Sequence, residues 1–397
     1  MRLIVELPRR VSEEVAFAVE DQGVYAAPAV RRVHVVNDGA ALEVECDDGA
    51  SESAMRRAVG DYVNDFVGRF RAVTGHVLSE HTRRDRGPLA TGVYGELCER
   101  GWVLPLGRGQ VGYAGPALKL RNALDRTWAE TAVTRFSASE QAYPTLIPTD
   151  VLHRCGYFGA FPHLVTLASH FVEDYSALKD IRDANAMSGE MTIPRHDMVA
   201  MPEACVTPAT CYHCYQGLAG KVLPDPGLSF TAVGRCCRYE SGNMTGLDRL
   251  WELCMREWIF VGREEWVTAQ REAAMDAMRE LIAAWDIECR IETANDPFFA
   301  PMYATKSFWQ SQAGLKYETR LTVEPDASGA PRSLSACSFN LHETFFGNAF
   351  DISLASDEPV WTGCVGIGVD RWVLACFSQH GFEPARWPDA LRGAVFG

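Results

Sequence analysis

The sequence lacks any apolar run close to the about 18 residues that a membrane-spanning helix needs. Its opening residues, MRLIVELPRR, carry charges beside a short apolar run and offer no small-residue cleavage site, which disfavours a secretory signal peptide. Internal repeats and low-complexity tracts are missing as well. We therefore expect a globular protein with no membrane partner, located in the cytoplasm.

Basic residues are in deficit. The chain of 397 residues has 38 Lys and Arg against 52 Asp and Glu, giving a net charge of −14. Proteins that bind duplex nucleic acid or tRNA usually present a basic face, so this balance disfavours tRNA as a partner, although a local basic patch is compatible with it.

Cysteine is abundant, but it does not form the pattern of a disulfide framework. The 13 cysteines are odd in number and scattered along a long chain, unlike those of a small secreted domain. We expect a reducing compartment in which most of them are small buried hydrophobic residues.

The first part of the chain predicts a small α/β module. Strand-like patterns occur at 2–8, 30–38 and 41–47, and the Asn-Asp-Gly between the last two is typical of a hairpin turn. Residues 51–73 follow a Ser cap and carry apolar residues at helical spacing. The polar segment HTRRDRGP that follows resembles a linker. We predict an N-terminal module of unknown role over 1–87.

The remaining residues, 88–397, predict one large catalytic domain. Strand patterns after residue 200 outnumber the units expected of a parallel βαβ fold, which favours an antiparallel sheet flanked by helices, an α+β fold. The clearest predicted elements are helices at 117–136 and 264–287 and strands at 228–241, 315–325 and 333–343.

Two cysteine pairs raise the question of a four-sulfur zinc site. Cys211 and Cys214 lie in CYHC, and Cys236 and Cys237 are adjacent in GRCCRYES. Adjacent residues of a strand point to opposite faces, so the second pair is poorly suited to one metal ion. A redox role for CYHC is also disfavoured, because the segment lacks a thioredoxin-like context.

The same strand alternation places Cys236, Arg238 and Glu240 on one face. Arginine offers a fork of donors for phosphoryl oxygens, and glutamate offers an anion for a cation or a metal. A salt bridge on a solvated sheet face explains this spacing equally well, and from the spacing alone it is the simpler interpretation.

Five motifs in order resemble known ligases. RCCRYES followed by LDRLWELCMREWIFVG resembles motif 2 of class II aminoacyl-tRNA synthetases, GIGVDR at 366–371 resembles motif 3, and residues 138–164 stand where motif 1 is expected. Residues 207–215 and 338–347 resemble the amino acid:[carrier protein] ligases, which are related to the atypical seryl-tRNA synthetases of methanogens but lack a tRNA-binding domain.

The resemblance implies a class II synthetase-like catalytic core and an adenylate-forming activity. The family uses ATP to convert an amino acid into an aminoacyl adenylate and passes the acyl group to the phosphopantetheine thiol of a carrier protein. It also implies a homodimer with the segment around Pro148 near the interface. A seryl-like ligase that delivers to tRNA and a non-catalytic paralogue that binds amino acids or adenylates are the alternatives.

Roles for individual residues also follow from the resemblance. Arg238 matches the motif 2 arginine on the α-phosphate, and Arg371 matches the motif 3 arginine on the γ-phosphate. Arg249 and Glu257 match residues that bind ATP, the latter with Mg²⁺. Asn340 is a candidate for a polar contact to the substrate, with a buried, satisfied amide as the equal alternative.

The family also binds zinc in its amino-acid pocket, through two cysteines and a glutamate. Matching the motifs assigns these ligands to Cys211, Glu240 and Cys364, with Cys205 or Cys214 as replacements for the first if the register is shifted. Three protein ligands leave a position open for the α-amine of the substrate.

Overall fold

The computed structural model describes most of the chain, including nearly all residues of the predicted motifs. The described residues are 1–11, 13–66, 76–84, 87–186, 188–241, 244, 246–296, 298–299, 310, 313–325 and 329–397. Among the helices of these ranges, none combines the length and the apolar character needed to cross a membrane. All 13 cysteines are free thiols, as expected.

The described strands and helices are numbered in chain order. The strands are β1 Arg2–Glu6, β2 Val30–Val36, β3 Ala41–Cys46, β4 Val77–His81, β5 Val103–Gly107, β6 Gln110–Tyr113, β7 Ser139–Glu140, β8 Leu146–Pro148, β9 Thr166–Ala168, β10 Ala204–Val206, β11 Val222–Leu223, β12 Gly227–Cys237, β13 Glu252–Gly262, β14 Cys289–Thr293, β15 Lys316–Pro325, β16 Pro331–Glu343, β17 Ser353–Leu354 and β18 Trp361–Gly368. The helices are α1 Glu13–Gly23, α2 Glu52–Phe66, α3 Val93–Glu99, α4 Gly115–Phe136, α5 Thr149–Arg154, α6 Tyr157–Ala160, α7 Tyr175–Asn185, α8 Cys211–Gly217, α9 Glu264–Trp285, α10 Phe345–Ala349, α11 Val369–His380 and α12 Asp389–Phe396.

The N-terminal module is a three-stranded antiparallel sheet, in the order β1-β3-β2, with α1 and α2 packed on it. Asn37 and Asp38 adopt positive φ angles of 56° and 51° in the turn between β2 and β3, which confirms the predicted hairpin. The predicted helix at 51–73 is described as far as Phe66, and residues 67–75 lie outside the described residues.

The large sheet has eight strands in the order β4-β14-β15-β16-β18-β13-β12-β7. All neighbours are antiparallel except the pair of β7 and β12 at one edge, so the predicted α+β fold with an antiparallel sheet is confirmed. The opposite edge is β4, which precedes residue 87. The large sheet therefore begins before the predicted module boundary.

The two faces of the large sheet have different partners. Helices α4, α9 and α11 cover one face, where Trp128, Trp258 and Trp372 are fully buried. The other face carries a second buried cluster that includes Cys211 and Ile259, together with shorter elements between β8 and α8. Because side chains alternate along β13, Trp258 faces the helices and its neighbours face the second cluster.

Candidate active site

Three reactive side chains from distant parts of the chain meet on the second face of the sheet. Cys211 begins α8, Glu257 lies on β13 and Cys364 lies on β18. One ligand atom of each lies within 4.8 Å of the others, and all three residues are buried. The strand register explains the meeting, since Glu257 lies opposite Gly366, two residues from Cys364, and opposite residues of antiparallel strands share a face.

The Glu257 carboxylate is hydrogen-bonded through one oxygen. Its Oε1 accepts the backbone N–H of Thr210 at 2.7 Å and that of Cys211 at 3.2 Å. Its Oε2 is buried and has no hydrogen-bond partner among the described residues. Burial raises the pKa of Glu257 to about 8, and the negative charge of Cys364 adds to this shift. A buried carboxylate oxygen without a donor is unfavourable and suits a bound cation.

Polar side chains of β16 surround the Cys364 sulfur. His342 Nε2 lies 3.7 Å from Cys364 Sγ, and Asn340 Nδ2 lies 3.5 Å from it. A hydrogen bond from the Cys211 thiol lowers the pKa of Cys364 well below its ordinary value, whereas burial raises the pKa of Cys211. These neighbours stabilise a thiolate at Cys364, the form in which cysteine binds metals.

This donor set fits a zinc ion. Zinc binds thiolate sulfur and carboxylate oxygen, and three protein ligands leave one tetrahedral position open. The unpartnered Oε2 of Glu257 and the thiolate of Cys364 would supply donor atoms for such an ion, which on binding would displace the proton of the Glu257 carboxyl. In the part of the chain that the structure describes, no other group of this kind occurs.

The structure corrects the predicted third ligand: Glu257, not Glu240, lies beside the two thiols. Strand β12 ends at Cys237, so the alternation assumed for Arg238 and Glu240 does not reach them. The Oε2 of Glu240 instead accepts from Arg249 Nη1 at 2.7 Å. Glu257, which was predicted to bind ATP with Mg²⁺, instead joins Cys211 and Cys364. We call Cys211, Glu257 and Cys364 the thiol cluster.

The three arginines predicted to contact ATP lie around Glu240. Burial lowers the pKa of Arg371, and the negative charge of Glu240 opposes this lowering. The positive charges of Arg249 and Arg238 lower the pKa of Arg371 further. Three guanidinium groups gathered in a partly buried region favour an anionic ligand such as a chain of phosphates. We call Arg238, Glu240, Arg249 and Arg371 the arginine cluster.

A short segment, 207–211, connects the arginine cluster to the thiol cluster. Pro208 O accepts from Arg238 Nε at 3.0 Å. Two residues later, the backbone N–H of Thr210 donates to Glu257. The two clusters are therefore held at a fixed separation by one stretch of backbone.

The remaining cysteines of the motifs stay outside the thiol cluster. Cys211, and neither Cys205 nor Cys214, belongs to it. Cys236 Sγ lies 3.6 Å from the Thr210 hydroxyl, and burial raises the pKa of Cys236 to about 12. Within the described residues the four-cysteine site is not formed.

Sequence reasoning missed two features beside the thiols. His342 follows Asn340 by two positions on β16, so strand alternation was the signal that could have placed it near Cys364. Opposite Asn340 lies Lys316, whose Nζ contacts Asp296 Oδ1 at 2.6 Å and Glu318 Oε1 at 3.0 Å. Asp296 lies in an irregular segment, and no periodicity in the sequence pointed to it.

Comparison with characterised proteins shows that the chain is similar to amino acid ligases. None of the models of known protein families matches the chain. The type-2 serine–tRNA ligase of Methanococcus aeolicus is 28% identical over 302 residues, covering 74% of this chain and 57% of that protein. The amino acid–[acyl-carrier-protein] ligase 2 of Bradyrhizobium diazoefficiens is 30% identical over 289 residues, covering 72% of this chain and 83% of that protein.

Solved structures give the same fold. A seryl-tRNA synthetase of M. kandleri, solved with A. aeolicus tRNASec, matches with a TM-score of 0.72 at 24% identity, over 99% of this chain and 77% of its own. The seryl-tRNA synthetase of Pyrococcus horikoshii with ATP matches with a TM-score of 0.54 at 16% identity, over 87% of this chain and 78% of its own. The chain therefore has the class II seryl-tRNA synthetase fold and belongs to the amino acid:[carrier protein] ligase family.

Proposed function

We propose that this protein uses ATP to convert an amino acid into an aminoacyl adenylate and then transfers the acyl group to the phosphopantetheine thiol of a carrier protein. The proposal is carried by one observation: residues 207–211 connect the thiol cluster to the arginine cluster. One cluster suits an amine bound through a metal, and the other suits a triphosphate.

In the first step a carboxylate oxygen of the amino acid forms a bond to the α-phosphorus of ATP, and the bond to the departing pyrophosphate breaks. Catalysis of such a step depends on positioning and on neutralising phosphate charge. Arg238 would contact the α-phosphate, and Arg371 would contact the γ-phosphate. Arg249 would neutralise part of the remaining negative charge of the triphosphate. Glu240 holds Arg249 in place at 2.7 Å.

The amino acid would lie over the thiol cluster. A zinc ion held by Cys211, Glu257 and Cys364 would supply an open coordination position for the neutral α-amine. Asn340, whose Nδ2 is 3.5 Å from Cys364 Sγ, would orient the amino acid beside it. Binding of the α-amine at this position would orient the carboxylate of the amino acid toward the arginine cluster.

In the second step the thiol of the carrier attacks the acyl carbon, and AMP leaves with the electrons of the broken bond. A carrier is favoured as acceptor by the family of the chain and by the net charge of −14, which disfavours a polyanionic partner. Transfer to tRNA is the second candidate, because the likeness to the M. kandleri synthetase extends over 99% of the chain and so includes the N-terminal module.

Amino-acid-dependent exchange of pyrophosphate into ATP, measured across a panel of amino acids, tests the first step. We expect exchange with one or a few amino acids, and no exchange with any of them would refute the adenylation. Incubating the activated amino acid with holo-carrier protein and with tRNA then separates the acceptors. Acylated carrier supports the proposal, whereas acylated tRNA alone supports the second candidate.

A further inference from the structure

The N-terminal module contacts the segment that carries two residues of the arginine cluster. Tyr25, which follows α1, donates its hydroxyl hydrogen to the backbone oxygen of Tyr239 at 3.0 Å. Tyr239 stands between Arg238 and Glu240 in the sequence. The module therefore reaches the stretch of chain that carries two residues of the proposed nucleotide site.

Residues 238–240 follow the end of β12, so contacts outside a regular strand determine their position. The backbone N–H of Arg238 donates to Trp251 O at 2.9 Å, and that of Tyr239 donates to Leu164 O at 3.1 Å. The hydroxyl of Tyr25 adds a third hydrogen bond, which it donates to the backbone oxygen of Tyr239. Part of the framework that positions Arg238 thus comes from the module.

A second contact links the module to the amino-acid side of the site. Gln22, at 3% exposure, donates its Nε2–H to Phe298 O at 2.7 Å. The Phe298 ring stacks on Phe161 with ring centroids 5.2 Å apart. Two residues before Phe298, Asp296 pairs with the buried Lys316 at 2.6 Å. The last turn of α1 and the turn that follows it therefore contact segments on both sides of the proposed site.

We propose that the N-terminal module is a structural part of the adenylation site, with Tyr25 as a positioning residue for the segment that binds ATP. The inference rests on the proposed function, since it assumes that the arginine cluster binds ATP. It assigns the module a role that is the same whether the acyl acceptor is a carrier protein or tRNA.

The test compares Tyr25→Phe with Tyr62→Phe in the full-length protein. Each substitution removes one phenolic oxygen, and Tyr62 OH donates at 2.8 Å to Val19 O inside the module. Calorimetric titration with Mg·ATP gives the dissociation constant, and thermal unfolding reports the stability of each variant. Loss of one positioning hydrogen bond should weaken ATP binding about three- to tenfold in Tyr25→Phe and leave it unchanged in Tyr62→Phe.

Wild-type ATP affinity in Tyr25→Phe would overturn the inference, and so would equal weakening in Tyr62→Phe, because that would indicate general loosening of the module. The proposed function is tested separately by pyrophosphate exchange. If ATP binding weakens selectively in Tyr25→Phe while no amino acid supports exchange, the inference stands and the proposed adenylation fails.

Discussion

Among single residues, Arg238 is expected to have the largest effect on adenylate formation. Its guanidinium is anchored to Pro208 O at 3.0 Å, which holds the charge in place before ATP binds. Removing one preorganised charge contact to a transition state costs about 3–4 kcal/mol. We therefore expect Arg238→Ala to lower the rate of pyrophosphate exchange by about 10²- to 10³-fold.

Arg235→Ala is the matched control for that substitution. Arg235 lies on β12 close to Arg238, and its Nε is 3.6 Å from Glu252 Oε1, with the two side chains 39% and 43% exposed. Pairs of this kind contribute less than about 1 kcal/mol. Exchange by Arg235→Ala should stay near the wild-type rate, and an equal loss in both variants would contradict a specific role for Arg238.

The thiol cluster shows which site residues could be identified from the sequence alone and which could not. The two cysteines were found because each lies in a short motif whose order along the chain is informative. Matching the motifs assigned the carboxylate to Glu240, whereas the pairing of β13 with β18, a long-range register that the sequence does not reveal, places Glu257 beside Cys364. Strand β12 stops at Cys237, and two residues later the N–H of Tyr239 bonds to Leu164 O, a residue far away in the chain.

At the level of elements, the long periodic segments were predictable and the irregular ones were not. Helices α4 and α9 and strands β15 and β16 lie close to their predicted ranges because their apolar periodicity matches the face they bury. Strand β4 was not identified, because its five residues are mostly half-buried and gain their order by pairing with β14 at the sheet edge.

A buried ion pair fixes β13 to the helix layer, and its loss should destabilise the fold. Arg256 is 2% exposed and binds Asp125 of α4 through two hydrogen bonds of 2.8 and 2.9 Å. Asp125→Ala would leave the guanidinium buried with Glu140 as a weaker partner at 3.2 Å. We expect a loss of about 2–4 kcal/mol in the free energy of unfolding, measured by urea denaturation.

Asp389→Ala serves as the control for the ion pair. Asp389 pairs with Arg392 at 2.7 Å, but its side chain is 91% exposed, so its removal should change the unfolding free energy by less than about 1 kcal/mol. Similar losses of unfolding free energy in the two variants would show that the burial of Arg256 does not determine how much the ion pair stabilises the fold.

At the scale of the whole molecule, we propose a homodimer that uses the region around Pro148. Large apolar side chains are exposed there, including Leu146 at 51% and Leu167 at 57%, on the two outer strands of the three-stranded sheet β8-β10-β9. Leu167→Asp should yield monomers in size-exclusion chromatography with light scattering, because it places a charge in the interface.

The control for the dimer is Val77→Asp, which changes a residue of 40% exposure on β4, at the far edge of the large sheet. That variant should remain dimeric. A monomeric wild-type protein, or an unchanged mass for Leu167→Asp, would contradict the proposed interface.

The metal content of two matched glutamate variants tests the zinc assignment most directly. Glu257→Gln and Glu240→Gln each replace a carboxyl group with an amide, the first in the proposed zinc site and the second in the proposed nucleotide site. Purified protein, analysed by inductively coupled plasma mass spectrometry, should contain one zinc per chain in the wild type and in Glu240→Gln, and little in Glu257→Gln. Full zinc in Glu257→Gln together with loss of zinc in Glu240→Gln would contradict it.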